Sequence, residues 1–254
     1  MILDQFRLDG KTALVTGAGR GLGQGYAIAL AEAGADVALL DRTGCPQTAE
    51  AVTALGRRAH QIVCDLSTAS PQDLADVTAD ASTTLGGLDI LVNNAGIIRR
   101  QPALEFSEAN WDDVLQINLT SVVFLSQAAA RLMAAAGHGK IVNIASMLSF
   151  QGGINVISYA AAKSAVAGVT RSLANEWAPL GINVNAIAPG YFATDNTAPL
   201  RADASRDAAI LDRIPAGRWG TAADLQGAIV YLSSAASDYM HGSIVAVDGG
   251  WLAR

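Results

Sequence analysis

At 254 residues the chain has length for one generous domain, with 51% apolar residues against 16% charged. A formal charge of −6 argues against nucleic acid or an anionic membrane surface as partner. No uninterrupted apolar run reaches the roughly 18 residues of a membrane span, and Asp4, Arg7, Asp9 and Lys11 interrupt any secretory signal.

A cytoplasmic protein is therefore expected. Cys45 and Cys64 lack metal or CxxC spacing and read as ordinary thiols. His60, His138 and His241 stand alone, so no metal site is expected.

Apolar, β-branched runs at 12–16, 36–41, 60–64, 88–93, 140–145, 183–188 and 243–248 predict strands. Several are apolar throughout, as strands covered on both faces are. Helical patterns fill the intervals. Repeated βα units predict an α/β fold: one domain over 1–254, a doubly wound parallel sheet with helices on both faces, ligands at the strands' carboxyl ends.

Three helices are readable in detail. Ser107 predicts an N-cap, with Phe106 and Trp111 at hydrophobic-staple spacing. Val166, Val169, Thr170, Leu173 and Trp177 mark one face of the helix that carries Lys163. Thr221-x-x-Asp224 predicts a capping-box start ahead of Leu225, Ala228, Ile229 and Leu232. The irregular stretch 190–218, with Pro199, Pro215 and a helical piece near 207–213, is too long for an ordinary connection. Such insertions are usually lids or binding loops, so a substrate lid is expected.

The first strand runs into Gly17, Gly19, Arg20, Gly21, Leu22 and Gly23, followed by a helix. Glycine there allows a tight turn and lets a pyrophosphate approach the backbone amides and the helix's positive end. The spacing is Gly-x-x-x-Gly-x-Gly, not the common G-x-G-x-x-G. Asp41 ends the second strand, where a carboxylate accepts from both adenosine ribose hydroxyls and repels a 2′-phosphate. That favours NAD; the neighbouring Arg42 is the argument for NADP. Asp65, with Leu66 beside it, is a candidate adenine contact, or else a cap for the helix that follows.

Tyr159 and Lys163 are four apart and share a helix face. An ammonium close to a phenol of reference pKa about 10 favours the phenolate and makes the phenol a usable acid and base. Ser146 closes a strand and is placed to offer its hydroxyl to the same substrate oxygen. A Tyr and a Lys at this spacing are also common on ordinary helices, so the motif gains weight only from its company.

That company is the glycine pattern, Asn93-Asn94-Ala95-Gly96, Asn118, Ser146, Tyr159-x-x-x-Lys163 and Pro189-Gly190, in that order. With it the chain resembles the short-chain dehydrogenase/reductases over nearly its full length. The resemblance implies a seven-stranded Rossmann sheet and a homotetramer. It implies Tyr159 as acid/base, Lys163 holding the nicotinamide ribose and lowering the Tyr159 pKa, and Ser146 orienting the substrate oxygen. Asn118 would anchor a water leading to Lys163. Asn93 would hold the adenosine side and the central sheet, with Ala95 and Gly96 beside the cofactor. Pro189, Gly190 and Thr194 would bracket the nicotinamide.

Residues 94–100, 145–153, 211–220 and 247–254 resemble members of that family that act on deoxy sugar acids. A sugar acid's carboxylate calls for a fixed cation, ideally a forked guanidinium. Arg99 and Arg100, just past the fourth strand, are the candidates, unless they are merely solvated. Gln151 and Asn155 are candidates for sugar hydroxyls, with Tyr191 and Arg201 in the lid. A reductase of another polyol or of 3-oxoacyl chains, and a non-enzymatic nucleotide-binding scaffold, are the competing functions.

Overall fold

The computed structural model describes residues Met1–Arg254. Seven parallel strands form one sheet in the order β3-β2-β1-β4-β5-β6-β7. They are β1 (Thr12–Thr16), β2 (Asp36–Asp41), β3 (Ala59–Val63), β4 (Ile90–Asn93), β5 (Gly139–Ile144), β6 (Ile182–Pro189) and β7 (Ile244–Val247). Every expected strand is present. The first two match residue for residue and the others shift by one or two residues, as strand ends do. β1, β4 and β6 are buried throughout, which is why they read as unbroken apolar runs.

The helices are α1 (Gly21–Glu32), α2 (Pro46–Ala54), α3 (Pro71–Leu85), α4 (Glu108–Leu115), α5 (Ser121–Ala136), α6 (Ile157–Trp177), α7 (Ala198–Ala202), α8 (Ala204–Arg213) and α9 (Ala223–Ser233). Both faces of the sheet are covered. On one, Tyr26 and Leu30 of α1 and Leu225, Ile229 and Leu232 of α9 meet Val15, Val37 and Val92. On the other, Leu74 and Val77 of α3 and Leu125 and Met133 of α5 meet Leu14, Leu91 and Ile141.

Chain order reverses between β1 and β4, so their carboxyl ends part to leave a crevice. β1 pairs with β2 from Thr12↔Asp36 to Thr16↔Leu40, which brings Asp41 beside the glycine turn. β5 pairs with β6 and β6 with β7, placing Ile144 and Pro189 at the same rim.

Helices α4 and α5 join through a wide π-type turn, Gln116–Thr120. The continuous run Glu108–Ala136 is long and apolar enough, at mean hydropathy 1.4, to cross a membrane by length and composition alone. In this fold it packs against α3, α6 and the sheet. Glu108, Asp112 and Asp113 in its first turns hide that length from a sequence scan.

Candidate active site

The crevice begins at the glycine turn. Gly17 and Gly21 sit at φ of 64° and 59°, where an L side chain is strained. A Cβ on Gly23 would lie 2.0 Å from the Gly17 carbonyl and 2.5 Å from Asn94 Nδ2, so only glycine lets α1 dock this closely. The first turn of α1 has no side-chain cap, because Arg20 occupies the N-cap without bonding it. Its amides therefore stay available to an anion.

Asp41 Oδ2 accepts from the Gly19 amide at 3.0 Å and Oδ1 from the Arg42 amide at 2.7 Å. The carboxylate is thus fixed over the turn while the Arg42 side chain stands exposed. Asn94 locks the turn from the other side, donating to the carbonyls of Thr16 (2.8 Å) and Gly17 (3.2 Å). Thr16 Oγ1 accepts from the amides of Asn94 and Ala95, both at 3.0 Å. These features form a cradle shaped for a dinucleotide.

Two expected cofactor residues have other work. Asn93 is 2% exposed and faces the core, donating to Ser126 and to Asn143, each at 2.9 Å. It ties β4 to β5 and α5, the sheet-holding part of its expected role. Alternation along β4 sends its side chain inward and that of Asn94 outward. Asp65 does not cap α3, whose cap is Ser70; it accepts from the amide and hydroxyl of Ser67 at 2.9 and 2.7 Å. Leu66 is buried and joins the core beneath.

The catalytic candidates meet at the ends of β5 and α6. Ser146 is 7% exposed, and its Oγ accepts from the Leu148 amide at 3.1 Å. Lys163 is 4% exposed, and its Nζ lies over the Tyr159 ring, 5.7 Å from the centroid. Nζ donates to the Ile144 carbonyl at 2.6 Å. No carboxylate reaches it, and burial lowers its pKa from 10.5 to about 8.

The Tyr159 pKa is raised, not lowered, which corrects the expected effect of Lys163. Desolvation dominates, opposed by the Ser146 hydrogen bond and the charge of Arg100. The ammonium is itself desolvated and spends its hydrogen bond on a backbone carbonyl.

Asn118, fully buried in the π-type turn, accepts from the Ile97 amide and donates to the Ile97 carbonyl, each at 2.9 Å. Its amide is thereby fixed against the loop that follows β4.

On the substrate side the two arginines separate. Arg99 pairs with Asp113 at 2.7 Å. Arg100 has no acidic partner, donates to the Asn196 carbonyl at 2.9 Å, and acts electrostatically on both Tyr159 and Tyr191. Asn155, left-handed at φ 62°, lines a 620 Å³ groove with Phe150, Ile157 and Ala161 that excludes Ser146 and Tyr159. Gln151 lines the same groove and accepts from Arg213 at 3.4 Å.

A family model described as short chain dehydrogenase matches residues 11–205. The chain belongs to the short-chain dehydrogenase family. It is 60% identical over 255 residues to the 2-dehydro-3-deoxy-D-gluconate 5-dehydrogenase of Dickeya dadantii, covering all of both chains. It is 59% identical, again over the whole of both, to the enzyme of that name from Escherichia coli K12. A solved structure from Agrobacterium tumefaciens, provisionally named a 2-deoxy-D-gluconate 3-dehydrogenase and holding NADP, is 56% identical. Its TM-score is 0.93, with 98% of this chain and 99% of that one covered. A Burkholderia cenocepacia gluconate 5-dehydrogenase in complex with NADP and tartrate is 40% identical at a TM-score of 0.94, both chains fully covered.

In this dehydrogenase the stretch beyond β6 meets the glycine turn and the loop after β4. Pro189 ends the sheet against Val247, and the Gly190 amide donates to the Val247 carbonyl at 3.0 Å. A Cβ on Gly190 would sit 2.6 Å from Asp248 Cα. The Thr194 carbonyl accepts from Arg201 Nη2 at 3.1 Å, so Arg201 braces the lid's own backbone. Arg20 of the glycine turn reaches Asp195 of the lid at 2.9 Å. Tyr191 is wedged edge-on between Trp219 (5.4 Å) and Trp251 (4.7 Å). Sequence reasoning gives Thr16 and Asn94 no individual role; a threonine ending β1 opposite two asparagines ending β4 is the signal that carries it.

Proposed function

We propose that this dehydrogenase oxidises the C5 hydroxyl of 2-dehydro-3-deoxy-D-gluconate, and reduces the corresponding ketone, with NAD as preferred cofactor. The observation that carries the reading is the meeting of Ser146 with the Tyr159–Lys163 pair at the ends of β5 and α6, near the loop that carries Arg100, a guanidinium with no acidic partner. That combination suits a hydroxy acid better than a neutral alcohol. The relatives' names supply the specific acid.

The cradle fits a dinucleotide: Gly17, Gly19, Arg20, Gly21, Leu22 and Gly23 hold the pyrophosphate, with Ala95 and Gly96 lining the crevice. Asp41 takes the adenosine ribose, and Asp65 with the Leu66 backbone borders the adenine. Lys163 takes the nicotinamide ribose, bracketed by Pro189, Gly190 and Thr194. When bound, the nicotinamide supplies the hydride chemistry.

The chain's own residues manage the proton and the pose. Ser146 donates to the reacting oxygen and fixes its distance from Tyr159. Tyr159 removes the hydroxyl proton during oxidation and returns it during reduction. The charge of Arg100 offsets part of the desolvation that opposes the phenolate. A water on the Asn118 carbonyl would link Lys163 to solvent. Arg100 binds the substrate carboxylate, since Arg99 is engaged by Asp113. The segment 190–218 acts as a lid. Exposed Leu104, Phe150, Ile154 and Ile157 are apolar surface suited to burial in a homotetramer, and the free thiols suit the cytoplasm.

Cofactor choice has two arguments. Asp41, held over the glycine turn, favours NAD by repelling a 2′-phosphate, whereas Arg42 is exposed and three solved relatives hold NADP. The test is to follow reduced-nicotinamide absorbance with each cofactor and a panel of C6 sugar acids, polyols and 3-oxoacyl thioesters. Faster turnover of 2-dehydro-3-deoxy-D-gluconate with NAD is expected. Preference for NADP with a 3-oxoacyl substrate would overturn the reading.

A further inference from the structure

Helix α8 of the lid carries Arg206, Ile210 and Arg213 at i, i+4 and i+7, so the three share one face. Ile210, 4% exposed, packs in one cluster with Met147, Ile214 and Trp251. Met147 directly follows Ser146, so this face of α8 looks toward the catalytic serine's segment. In the same cluster Tyr191, the first residue beyond Gly190, packs on both tryptophans.

Burial pushes the Tyr191 phenol up, opposed by the charges of Arg206 and Arg213 from α8 and of Arg100 from the loop after β4. None of the three has an acidic partner. Two are otherwise employed. Arg213 stacks 4.0 Å over the Trp251 ring and donates to Gln151. Arg100 bonds the Asn196 carbonyl, which ties its loop to the lid.

The Arg206 side chain makes no hydrogen bond or ion pair, although two acids lie close on the same helix. Asp203 is used by the amides of Ser205 and Arg206 at 3.0 and 3.1 Å, and Asp207 by the Trp219 indole at 2.7 Å. Both acids are turned to the lid's own architecture, and the guanidinium of Arg206 is left over.

We propose that Arg206 is a specificity-determining residue: it closes from the lid onto the substrate's carboxylate, opposite Arg100, and the two guanidinium groups clamp the anion between them. This rests on the sugar-acid reading above and assigns the acid preference to a lid residue. A neutral substrate gives the lid nothing to close on, whereas a carboxylate accepts paired N–H donors and offsets the repulsion between the two cations.

The test compares the unaltered enzyme, Arg206→Gln and Arg206→Lys on 2-dehydro-3-deoxy-D-gluconate and on its C1 amide. Arg206 is exposed and supports no other contact, so both variants are expected to fold. Arg206→Gln should raise KM for the acid about 10- to 100-fold with kcat little changed, as loss of a charged hydrogen bond does. Arg206→Lys should fall between, since a point cation replaces the fork. Kinetics on the amide should not move. An unchanged KM for the acid, or an equal loss on acid and amide, would overturn the assignment. If the unaltered enzyme leaves every sugar acid untouched, the parent reading falls and this one with it; if it turns over the acid and Arg206→Gln matches it, only the role of Arg206 falls.

Discussion

Lys163 is a cation buried without a counter-ion, which is costly unless cofactor and substrate use it. Its folded pKa of about 8 lies below the 10.5 of an exposed lysine, so between those values the native state binds fewer protons than the unfolded chain. Stability without cofactor should therefore rise as pH climbs from 8 to 10.5, and the charging penalty is fully present below 8. Lys163→Met should raise unliganded stability at pH 7 by about 1–3 kcal/mol while abolishing turnover, measured by denaturant melts and assay on one preparation. Activity bought with strain shows this pattern. The Tyr-x-x-x-Lys motif is legible because helical spacing alone puts both residues on one face. The direction of the phenol's shift is not, because burial sets it, against Ser146 and Arg100, and burial depends on segments distant in the chain.

Among elements, α1 shows most directly how sequence becomes site. Gly23→Ala drives a methyl group into the Gly17 carbonyl, so helix and turn must part. The expected result is a loss of about 1–3 kcal/mol in stability together with weaker NAD binding, read by melting and by fluorescence titration. Helix α4 carries a cleaner test: Ser107 Oγ accepts from the Asn110 amide at 3.3 Å, so Ser107→Ala should cost about 1 kcal/mol without touching KM. That cap was legible because its partners lie within one turn. The start of α9 was only partly so. Asp224 does accept from the amide and hydroxyl of Thr221, yet it also takes Arg218, and the helix begins at Ala223. The left-handed backbone of Asn155 was not legible either, since nothing local marks which way the loop between Ser146 and Tyr159 turns.

For the molecule as a whole, alternating apolar runs and helical intervals made the sheet readable, since a parallel strand buried on both faces leaves little else to write. What composition does not reveal is how the lid, the glycine turn and the loop after β4 meet; Arg20–Asp195 and Arg100–Asn196 join segments more than ninety residues apart. They border the crevice in which the proposed acid/base, Tyr159, stands with Ser146 and Lys163. Tyr159→Phe removes the phenolic oxygen and little else. Its turnover of 2-dehydro-3-deoxy-D-gluconate should fall by about 10²–10⁴-fold while NAD affinity, measured by titration, stays at the wild-type value. Turnover close to that of the unaltered enzyme would contradict the assignment of Tyr159 as the group that moves the proton.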